Sequence, residues 1–286
     1  MDKKNIEIIT SIKKIQARSD TLRCLGKKIA LIPTMGFLHK GHLSLISEGK
    51  KYCDDIVLSI YVNPTQFAPG EDLETYPKSL EQDIELAQKQ GANVVFLPED
   101  KQIYQDGFQT YVELEKLPHH LCGMSRPTHF KGVATVVTKL FNIVKPHIAV
   151  FGQKDFQQLA VIKRMVQDLN FDIKIIGIPT VREADGLAMS SRNSNLTKDQ
   201  RKSALALHSA LLKAQNLYKN RINDASRLIK AASNVILSKP DLAIDYIQIC
   251  DPETLESIET LTKPTLMALA VKIGKTRLID NMILYP

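Results

Sequence analysis

The chain has 286 residues, of which 44% are hydrophobic and 24% are charged. This composition excludes a collagen-like fibre, a disulfide-stabilised miniprotein and a mainly disordered chain, and the length suggests about two globular domains. The formal net charge of +7 is spread evenly, with +3 in residues 1–181 and +4 in residues 182–286. No basic arm or stripe therefore favours a nucleic-acid partner.

Two further features bear on where the protein works. The four cysteines, Cys24, Cys53, Cys122 and Cys250, form no C-x-x-C pair, so we expect reduced thiols and no structural metal site held by the protein. The N-terminal segment carries charges throughout and lacks the apolar core of a secretory signal. No apolar run is long enough for a membrane helix. We expect a cytoplasmic protein without a membrane partner.

Short β-rich runs alternate with longer amphipathic stretches in the first two thirds of the chain, which is the pattern of repeated βαβ units. Five strands are predicted, at Ile29–Ile32, Ile56–Val62, Val94–Leu97, Ile148–Phe151 and Ile173–Ile178. Four helices are predicted between them, at Leu43–Cys53, Ser79–Gln90, Val133–Val144 and Gln157–Leu169. Gly91 is expected to end the second of these helices. The pattern indicates an α/β fold with a Rossmann-like, doubly wound parallel sheet, whose ligands bind at the carboxyl ends of the strands.

The pattern changes after about Val181. Two helices and then three strands are predicted, at Lys198–Tyr218, Asp224–Ser238, Ala243–Cys250, Thr265–Val271 and Thr276–Asp280. We therefore expect one α/β domain in residues 1–181 and a smaller α+β domain in residues 182–286.

The first motif, PTMGFLHKGH at residues 33–42, lies between a predicted strand and a predicted helix. Backbone N–H groups at the start of a helix attract anions. His39 and His42 could hold phosphate oxygens there and stabilise the charge on a leaving pyrophosphate. The alternative is a chance H-x-x-H pair, with one imidazole capping the turn and the other packed. A zinc site is less favoured, because no third ligand is apparent.

The second motif, FGQKDFQQ at residues 151–158, also joins a strand to a helix. Gly152 permits a close backbone approach, Lys154 offers a positive charge for phosphate, and Asp155 could cap the helix. Gln158 would lie one turn into the helix, where its amide could bind a polar substrate. The bare pattern is also common at solvent-exposed helix starts.

The third motif, PTVREADGLAMSSRN at residues 179–193, follows the last strand of the sheet. Ser190, Ser191 and Arg192 are donors of the types that suit a triphosphate. A hydroxyl-rich loop between domains, with Arg192 in a surface ion pair, is about as good an interpretation of the motif alone.

Two shorter motifs add polar side chains. In VNPTQF, at residues 62–67, Asn63 and Gln66 are neutral amides that suit a hydroxylated substrate, although the segment also reads as a plain turn. In SRPTHFKG, at residues 125–132, Arg126, His129 and Lys131 precede a helix and form either an anion site or a basic loop.

In this order and at these separations, the motifs resemble the pantoate–beta-alanine ligase family, within the nucleotidyl-transferase superfamily that carries an H-x-G-H motif. TYPKSLEQD at residues 75–83 and GKTRLIDN at residues 274–281 extend the resemblance to nearly the whole chain. The H-x-G-H motif also occurs in class I aminoacyl-tRNA synthetases, whereas GQKDFQQL and READGLAMSSRN are far more specific.

The resemblance implies an AMP-forming ligase that uses ATP with Mg²⁺ to adenylate (R)-pantoate and then joins the pantoyl group to beta-alanine. The expected products are pantothenate, which is a precursor of coenzyme A, together with AMP and diphosphate. The pantoyl-adenylate would not be covalently linked to the enzyme. The resemblance further implies that residues 1–181 bind ATP and pantoate, that residues 182–286 form a lid, and that the protein is a homodimer with small-molecule partners.

The same resemblance implies roles for individual residues. His39, His42 and Lys154 would be catalytic, with His42 as a proton donor. The residues implied in ATP binding are Met35, Gly36, Phe37, Leu38, His39, Lys40, Gly41, His42, Gly152, Gln153, Lys154, Asp155, Val181, Met189, Ser190, Ser191 and Arg192. The residues implied in pantoate binding are Gln66 and Gln158, of which Gln66 would also contact beta-alanine. Further candidates are Asn63 and Arg126, together with Asp83 as an organiser of the magnesium ion.

Two other functions stay open at this point. One is a nucleotidylyltransferase that stops at a nucleotide-linked product. The other is a nucleotide- or RNA-binding module without chemistry. The evenly spread charge and the lack of an evident anticodon-binding extension count against RNA.

Overall fold

The structure, a computed structural model, describes residues 6–286 and divides them into two compact units. The first unit consists of residues 6–115, Arg126–Gln153 and Val161–Pro179. The second unit consists of Lys116–Ser125, Lys154–Ala160 and Thr180–Pro286. Two short segments from the middle of the chain therefore belong with the C-terminal residues.

A six-stranded sheet forms the centre of the first unit. Its strands are β1 Glu7–Ile9, β2 Ile29–Thr34, β3 Asp55–Ile60, β4 Val94–Phe96, β5 Ile148–Gly152 and β6 Lys174–Ile178. They lie in the order β1-β4-β3-β2-β5-β6, and every neighbouring pair is parallel. The chain moves outward from β2 through β3 to β4 and then returns to the other side of β2 with β5. The strand order thus reverses between β2 and β5, which is the position where doubly wound sheets bind ligands.

Continuous aliphatic runs explain why the central strands form. Ile29, Ala30, Leu31 and Ile32 in β2 are all fully buried, as strands are when helices cover both faces of a parallel sheet. The five strands predicted from sequence are all present, and the fold-class prediction is confirmed. The edge strand β1 was not predicted, because three residues carry too little pattern and depend on pairing with β4.

Ten helices are described in residues 6–286. They are α1 Ile12–Cys24, α2 Lys40–Gly49, α3 Leu80–Gln90, α4 Asp100–Ile103, α5 Cys122–Ser125, α6 His129–Val144, α7 Phe156–Asp168, α8 Lys198–Ala204, α9 Ala206–Lys219 and α10 Ala225–Leu237. Helix α3 ends as predicted at Gly91, whose φ of 94° closes the helix in the left-handed region. Helix α1 was not predicted. The single helix predicted over Lys198–Tyr218 is two helices that meet at Leu205.

The second unit contains an antiparallel sheet of β7 Leu242–Cys250, β8 Thr265–Ile273 and β9 Thr276–Leu284, with β8 in the middle. Its core combines one apolar face of this sheet with apolar residues of α9 and α10, including Leu211, Leu228, Ile236, Met267 and Leu269. The α+β character predicted for this part of the chain is confirmed. Across residues 6–286, no helix combines the length and the apolar character needed to cross a membrane.

Candidate active site

The loop that follows β2 is tightly constrained by its backbone. Gly36 has a φ of 85°, and a Cβ atom there would lie 3.0 Å from both Asp83 Oδ2 and a methyl carbon of Ile60. Phe37 is also in the left-handed region, with a φ of 52°. Two successive residues with positive φ turn the chain sharply between the end of β2 and the start of α2.

Asp83, in the first turn of α3, holds this loop. Its Oδ2 accepts a hydrogen bond of 2.8 Å from the Phe37 N–H, and its Oδ1 accepts one of 2.7 Å from the Leu38 N–H. Burial raises the pKa of the Asp83 carboxyl, and the two N–H donors partly offset that effect. Both oxygens thus hold the backbone of the loop between β2 and α2.

His39 and His42 lie together at the start of α2. His39 is the N-cap residue, and its Nδ1 accepts a hydrogen bond of 3.1 Å from the Gly41 N–H. His42 Nδ1 accepts one of 3.3 Å from the His39 N–H, which completes a capping box built from two imidazoles. The rings stack with their centroids 4.0 Å apart. Because each Nδ1 is an acceptor, each ring is neutral and carries its proton on Nε2.

The loop after β3 presents Gln66, which is 8% exposed. Its Oε1 accepts a hydrogen bond of 3.2 Å from the Asn63 amide, and its Nε2 contacts the Met35 sulfur at 3.3 Å. Asn63 is 1% exposed, and its Oδ1 accepts from the hydroxyls of Thr65 and Tyr104. All the polar atoms of the Asn63 side chain are therefore used within the protein, and this residue positions Gln66.

The Arg126 side chain contacts the backbone of the same loop. Its guanidinium forms an ion pair with Glu71 and donates a hydrogen bond of 3.2 Å to the Gln66 carbonyl. His129 Nδ1 lies 2.8 Å from that carbonyl oxygen. Burial by itself raises the pKa of Glu71, but the hydrogen bond and charge of Arg126 outweigh it, so that the pKa lies below its usual value.

Strand β5 ends at Gly152, and a single 3-10 turn, Gln153–Asp155, leads into α7. The Lys154 ammonium lies 3.8 Å from the Asp155 carboxylate. Gln157 is 6% exposed and uses its amide to bind the backbone of Leu117, His120 and Cys122. Gln158, one residue later, is half-buried. Its amide makes no hydrogen bond with any residue that the structure describes.

The third motif forms a small hairpin in the second unit, which is held by hydrogen bonds and ion pairs. Met189 N–H donates to the Val181 carbonyl at 3.0 Å, and Arg182 and Ala188 form an antiparallel bridge. Arg201 forms an ion pair with Glu183 and another with Asp185. The charged residues of READG thus stabilise the hairpin. Met189 to Arg192, which are predicted to bind ATP, follow it directly in the chain.

Ser190 caps the 3-10 turn Ser191–Asn195, since its Oγ accepts a hydrogen bond of 3.3 Å from the Arg192 N–H. A narrow recess in the second unit is bordered by Lys154 and by Ser190. The recess has a volume of about 10 Å³, which is room for about one water molecule, so it brings Lys154 and Ser190 near each other without itself accommodating a nucleotide.

Several residues that shape these loops could not be found from sequence. They are Glu71 and Tyr104 in the first unit and Asp280 and Asn281 in the second. Only GKTRLIDN gave a signal for Asp280 and Asn281, and that motif suggested no role. Within the described part of the chain, no group of three or more His, Cys, Asp or Glu side chains is arranged to hold a metal ion.

Comparison with known proteins gives a consistent result. The sequence profile of the family described as pantoate-beta-alanine ligase matches residues 7–283. A protein of Desulfatibacillum aliphaticivorans named pantothenate synthetase is 58% identical over 281 residues, which are 98% of this chain and 100% of that protein.

Solved structures agree with the sequence matches. The crystal structure of pantothenate synthetase from Thermus thermophilus matches with a TM-score of 0.93 and 38% identity, over 98% of this chain and 100% of that chain. The pantoate-beta-alanine ligase from Francisella tularensis, complexed with beta-gamma ATP and beta-alanine, matches with a TM-score of 0.80 and 36% identity, over 97% of both chains.

Proposed function

The chain belongs to the pantoate–beta-alanine ligase family, and from that premise we propose that it condenses (R)-pantoate with beta-alanine at the expense of ATP. The family match over residues 7–283 carries this conclusion, and the paired imidazoles at the start of α2 supply a matching chemistry. The relative from Francisella tularensis was solved with an ATP compound and beta-alanine, which supports both as substrates.

The reaction proceeds in two steps. A pantoate carboxylate oxygen attacks the α-phosphorus of ATP, the bond to the bridging oxygen breaks, and pyrophosphate leaves with that electron pair. The amine of beta-alanine then attacks the acyl carbon of the pantoyl-adenylate, AMP leaves, and the amide nitrogen loses a proton. AMP is a far better leaving group than the oxygen of a free carboxylate, which is why activation must come first. Neither step requires a covalent bond to the enzyme.

His39 and His42 stabilise the first transition state. Their Nδ1 atoms accept hydrogen bonds from backbone N–H groups, so that donation to phosphate oxygens falls to the Nε2–H groups. Charge builds on the pyrophosphate as it leaves, and fixed donors at a helix start lower the energy of that charge. His42 is the residue that we assign as proton donor, in the sense that its Nε2–H donates a hydrogen bond to the leaving pyrophosphate and keeps its proton.

Lys154 adds a positive charge for the phosphates. The remaining residues to which we assign ATP binding are Met35, Gly36, Phe37, Leu38, Lys40, Gly41, Gly152, Gln153, Asp155, Val181, Met189, Ser190, Ser191 and Arg192. Magnesium arrives as part of the MgATP substrate, coordinated mainly by phosphate oxygens. The buried Asp83 is engaged with the backbone and supports no more than an indirect role in holding that ion.

Gln66 and Gln158 bind pantoate, and Gln66 also contacts beta-alanine. Their neutral amides donate and accept hydrogen bonds, which suits the hydroxyl groups of pantoate. The half-buried Gln158 amide lacks a partner among residues 6–286, and this supports its assignment to a substrate. Asn63 and Arg126 contribute by fixing Gln66.

The proposal extends to the organisation of the protein. We assign the ATP- and pantoate-binding domain to residues 1–181, a lid role to residues 182–286, whose residues Met189 to Arg192 would close over the phosphates, and a homodimer in the cytoplasm with no nucleic-acid or membrane partner. Analytical ultracentrifugation of the purified protein tests the dimer.

A coupled assay for AMP release tests the function directly. The protein is supplied with MgATP, pantoate and beta-alanine, and each substrate is omitted in turn. We expect AMP only when all three are present, and pyrophosphate exchange into ATP when beta-alanine alone is omitted. Pyrophosphate release without free AMP when all three substrates are present would instead indicate a nucleotidylyltransferase, because its nucleotide stays attached to the product. Salt-sensitive RNA binding without ATP turnover would indicate a binding module.

A further inference from the structure

Two adjacent residues of β9 contact both segments of the second unit that are assigned to ATP. We propose that Asp280 and Asn281 are positioning residues for ATP binding, with Asn281 fixing the backbone of Lys154 and Asp280 fixing the hairpin that precedes Ser190. This inference rests on the proposed function for the identity of the nucleotide. It also gives a role to the last motif of the sequence, GKTRLIDN at residues 274–281.

Asn281 acts on Lys154. The Asn281 side-chain amide donates a hydrogen bond of 2.8 Å to the Lys154 carbonyl oxygen, and Asn281 is 9% exposed. Lys154 belongs to a 3-10 turn of only three residues, and a turn this short has few internal hydrogen bonds to fix its backbone. A buried donor on a strand of the sheet fixes the carbonyl and with it the Cα position from which the lysine side chain starts.

Asp280 acts on the hairpin. It is 3% exposed, and its two oxygens accept hydrogen bonds of 2.6 and 2.9 Å from the two terminal nitrogens of the Arg182 guanidinium. The same guanidinium donates to the Gly186 carbonyl at 3.1 Å, across the turn of the hairpin. A bidentate pair fixes the orientation of the arginine as well as its distance. Asp280 therefore fixes the hairpin that leads to Ser190.

The two contacts are coupled through the strand. The Asn281 backbone N–H donates to Asp280 Oδ1 at 2.8 Å, so that the carboxylate holding Arg182 also holds the backbone of the residue that holds Lys154. Lys154, Ser190 and Asp280 border one recess. Strand β9 therefore sets the distance between two groups that are assigned to the phosphates of ATP, the Lys154 ammonium and the Ser190 hydroxyl.

The chain offers a matched control on the same sheet. Arg277 on β9 forms an ion pair of 2.7 Å with Asp245 on β7; Arg277 is about as buried as Arg182, whereas the Asp245 side chain is 16% exposed and that of Asp280 is 2% exposed. This pair contacts neither Lys154 nor the hairpin. Asp280→Asn and Asp245→Asn therefore make the same chemical change to two arginine pairs, only one of which reaches the ATP-binding segments.

The test compares Asn281→Ala, Asp280→Asn and Asp245→Asn in the full-length protein. Steady-state kinetics give KM for ATP, KM for pantoate and kcat, and calorimetry with the magnesium complex of α,β-methylene-ATP gives nucleotide affinity without turnover. We expect Asn281→Ala and Asp280→Asn to raise KM for ATP and the nucleotide Kd about tenfold and to lower kcat, with KM for pantoate within about twofold of wild type. Asp245→Asn should leave all three kinetic values near wild type, whatever it does to Tm.

Unchanged nucleotide affinity and KM for ATP in folded Asn281→Ala overturn the inference, and so does an equal effect from Asp245→Asn. Asn281→Ala removes no charge and stays informative if Asp280→Asn does not fold. A wild-type protein that binds the ATP analogue but makes no pantothenate overturns the proposed function only, because the binding comparison among the variants still decides the role of β9. A wild-type protein that binds no nucleotide overturns both.

Discussion

The imidazole of His39 stacks on that of His42 with an angle of 24° between the ring planes, and the two residues cap the same helix through their Nδ1 atoms. Each ring therefore holds the helix start through Nδ1, and the proposed function assigns its Nε2–H to the phosphates of ATP. Capping fixes which nitrogen carries the proton, so that α2 begins with two oriented Nε2–H donors. The helix start and the candidate catalytic groups are thus a single arrangement.

The two roles of His42 can be separated by substitution. Asparagine can place its side-chain oxygen near the position of Nδ1 and keep the cap, but it has no counterpart of Nε2–H. We expect His42→Asn to fold with nearly wild-type stability and yet to lower the rate of pyrophosphate release about 100-fold or more, as loss of a transition-state donor does. Stopped-flow pyrophosphate detection measures the rate, and urea unfolding measures the stability.

His147 supplies the control for this prediction. Its Nδ1 accepts a hydrogen bond of 3.0 Å from the Ile29 N–H at the start of β2, the opposite end of that strand from the candidate site. His147→Asn should therefore leave pyrophosphate release unchanged. Wild-type turnover in folded His42→Asn would remove His42 from the chemistry.

Neighbouring glutamines on α7 should behave differently. Gln158→Ala is expected to raise KM for pantoate about tenfold with little change in KM for ATP, because the residue is assigned to the substrate and contributes no hydrogen bond to the described structure. Gln157→Ala should instead lower the free energy of unfolding by about 1–3 kcal/mol, because it leaves buried or partly buried backbone groups of Leu117, His120 and Cys122 unpaired. Kinetics and urea unfolding of both variants distinguish the roles. A raised KM for ATP in Gln158→Ala would place that residue in a different subsite.

Asp83→Asn tests the support of the β2–α2 loop. The carboxylate now accepts a hydrogen bond from each of two backbone N–H groups. In the asparagine variant the amide NH₂ would face one of these N–H groups, so that two donors would meet. We expect kcat to fall about 10- to 100-fold, since small displacements of catalytic groups are costly, with a loss of roughly 1–3 kcal/mol in stability. Glu81→Gln, an exposed change in the same helical turn, is the control and should alter neither quantity. Full activity of Asp83→Asn would show that the loop holds its shape without this carboxylate.

The Glu71 ion pair should make stability depend on pH. Its pKa in the folded protein lies below its usual value, so the folded state binds fewer protons at Glu71 than the unfolded state does in moderately acidic solution. The stabilisation is present above the ordinary glutamate pKa of about 4.3 and is lost as the pH falls through the lower folded value.

Urea unfolding of the wild type and Glu71→Gln between about pH 3 and pH 7 measures this effect. The difference in unfolding free energy should be constant near neutrality and shrink in acid. The same substitution at the exposed Glu74 should give no such trend. A difference that grows as the pH falls would show that the sign assigned to the pKa shift is wrong.

The central part of the fold was predictable because its strands bury both faces. Runs such as Ile29–Ile32 need no partner to be recognised, since consecutive aliphatic residues are typical of a covered parallel sheet. Helix α1 was not recognised, because only Ile15 and Ser19 are buried and its polar residues obscure the period. Strand β1 exists only through its pairing with β4, a tertiary effect that local sequence does not contain.

In the candidate site, too, some features can be predicted from local sequence and others depend on tertiary contacts. Residues at the ends of recognisable strands, such as His39 and Lys154, could be named from local patterns. Arg182 and Asp280 are 98 residues apart, and Lys154 and Asn281 are 127 apart, so that their contacts depend on the completed fold. The positive φ of Phe37 could not be predicted from local sequence either, since it occurs in a loop whose backbone is held by the distant Asp83.

The strand order also determines when the candidate site can first form during synthesis. Strand β2 can pair with β3 once both have left the ribosome, but its other neighbour is β5, where Ala30 pairs with Ile148. Until residue 152 has emerged, one edge of an apolar strand is unpaired beside the loop that carries His39 and His42. Nascent chains that stop before β5 should therefore be the species that associate with chaperones or aggregate, and they cannot be stabilised by nucleotide.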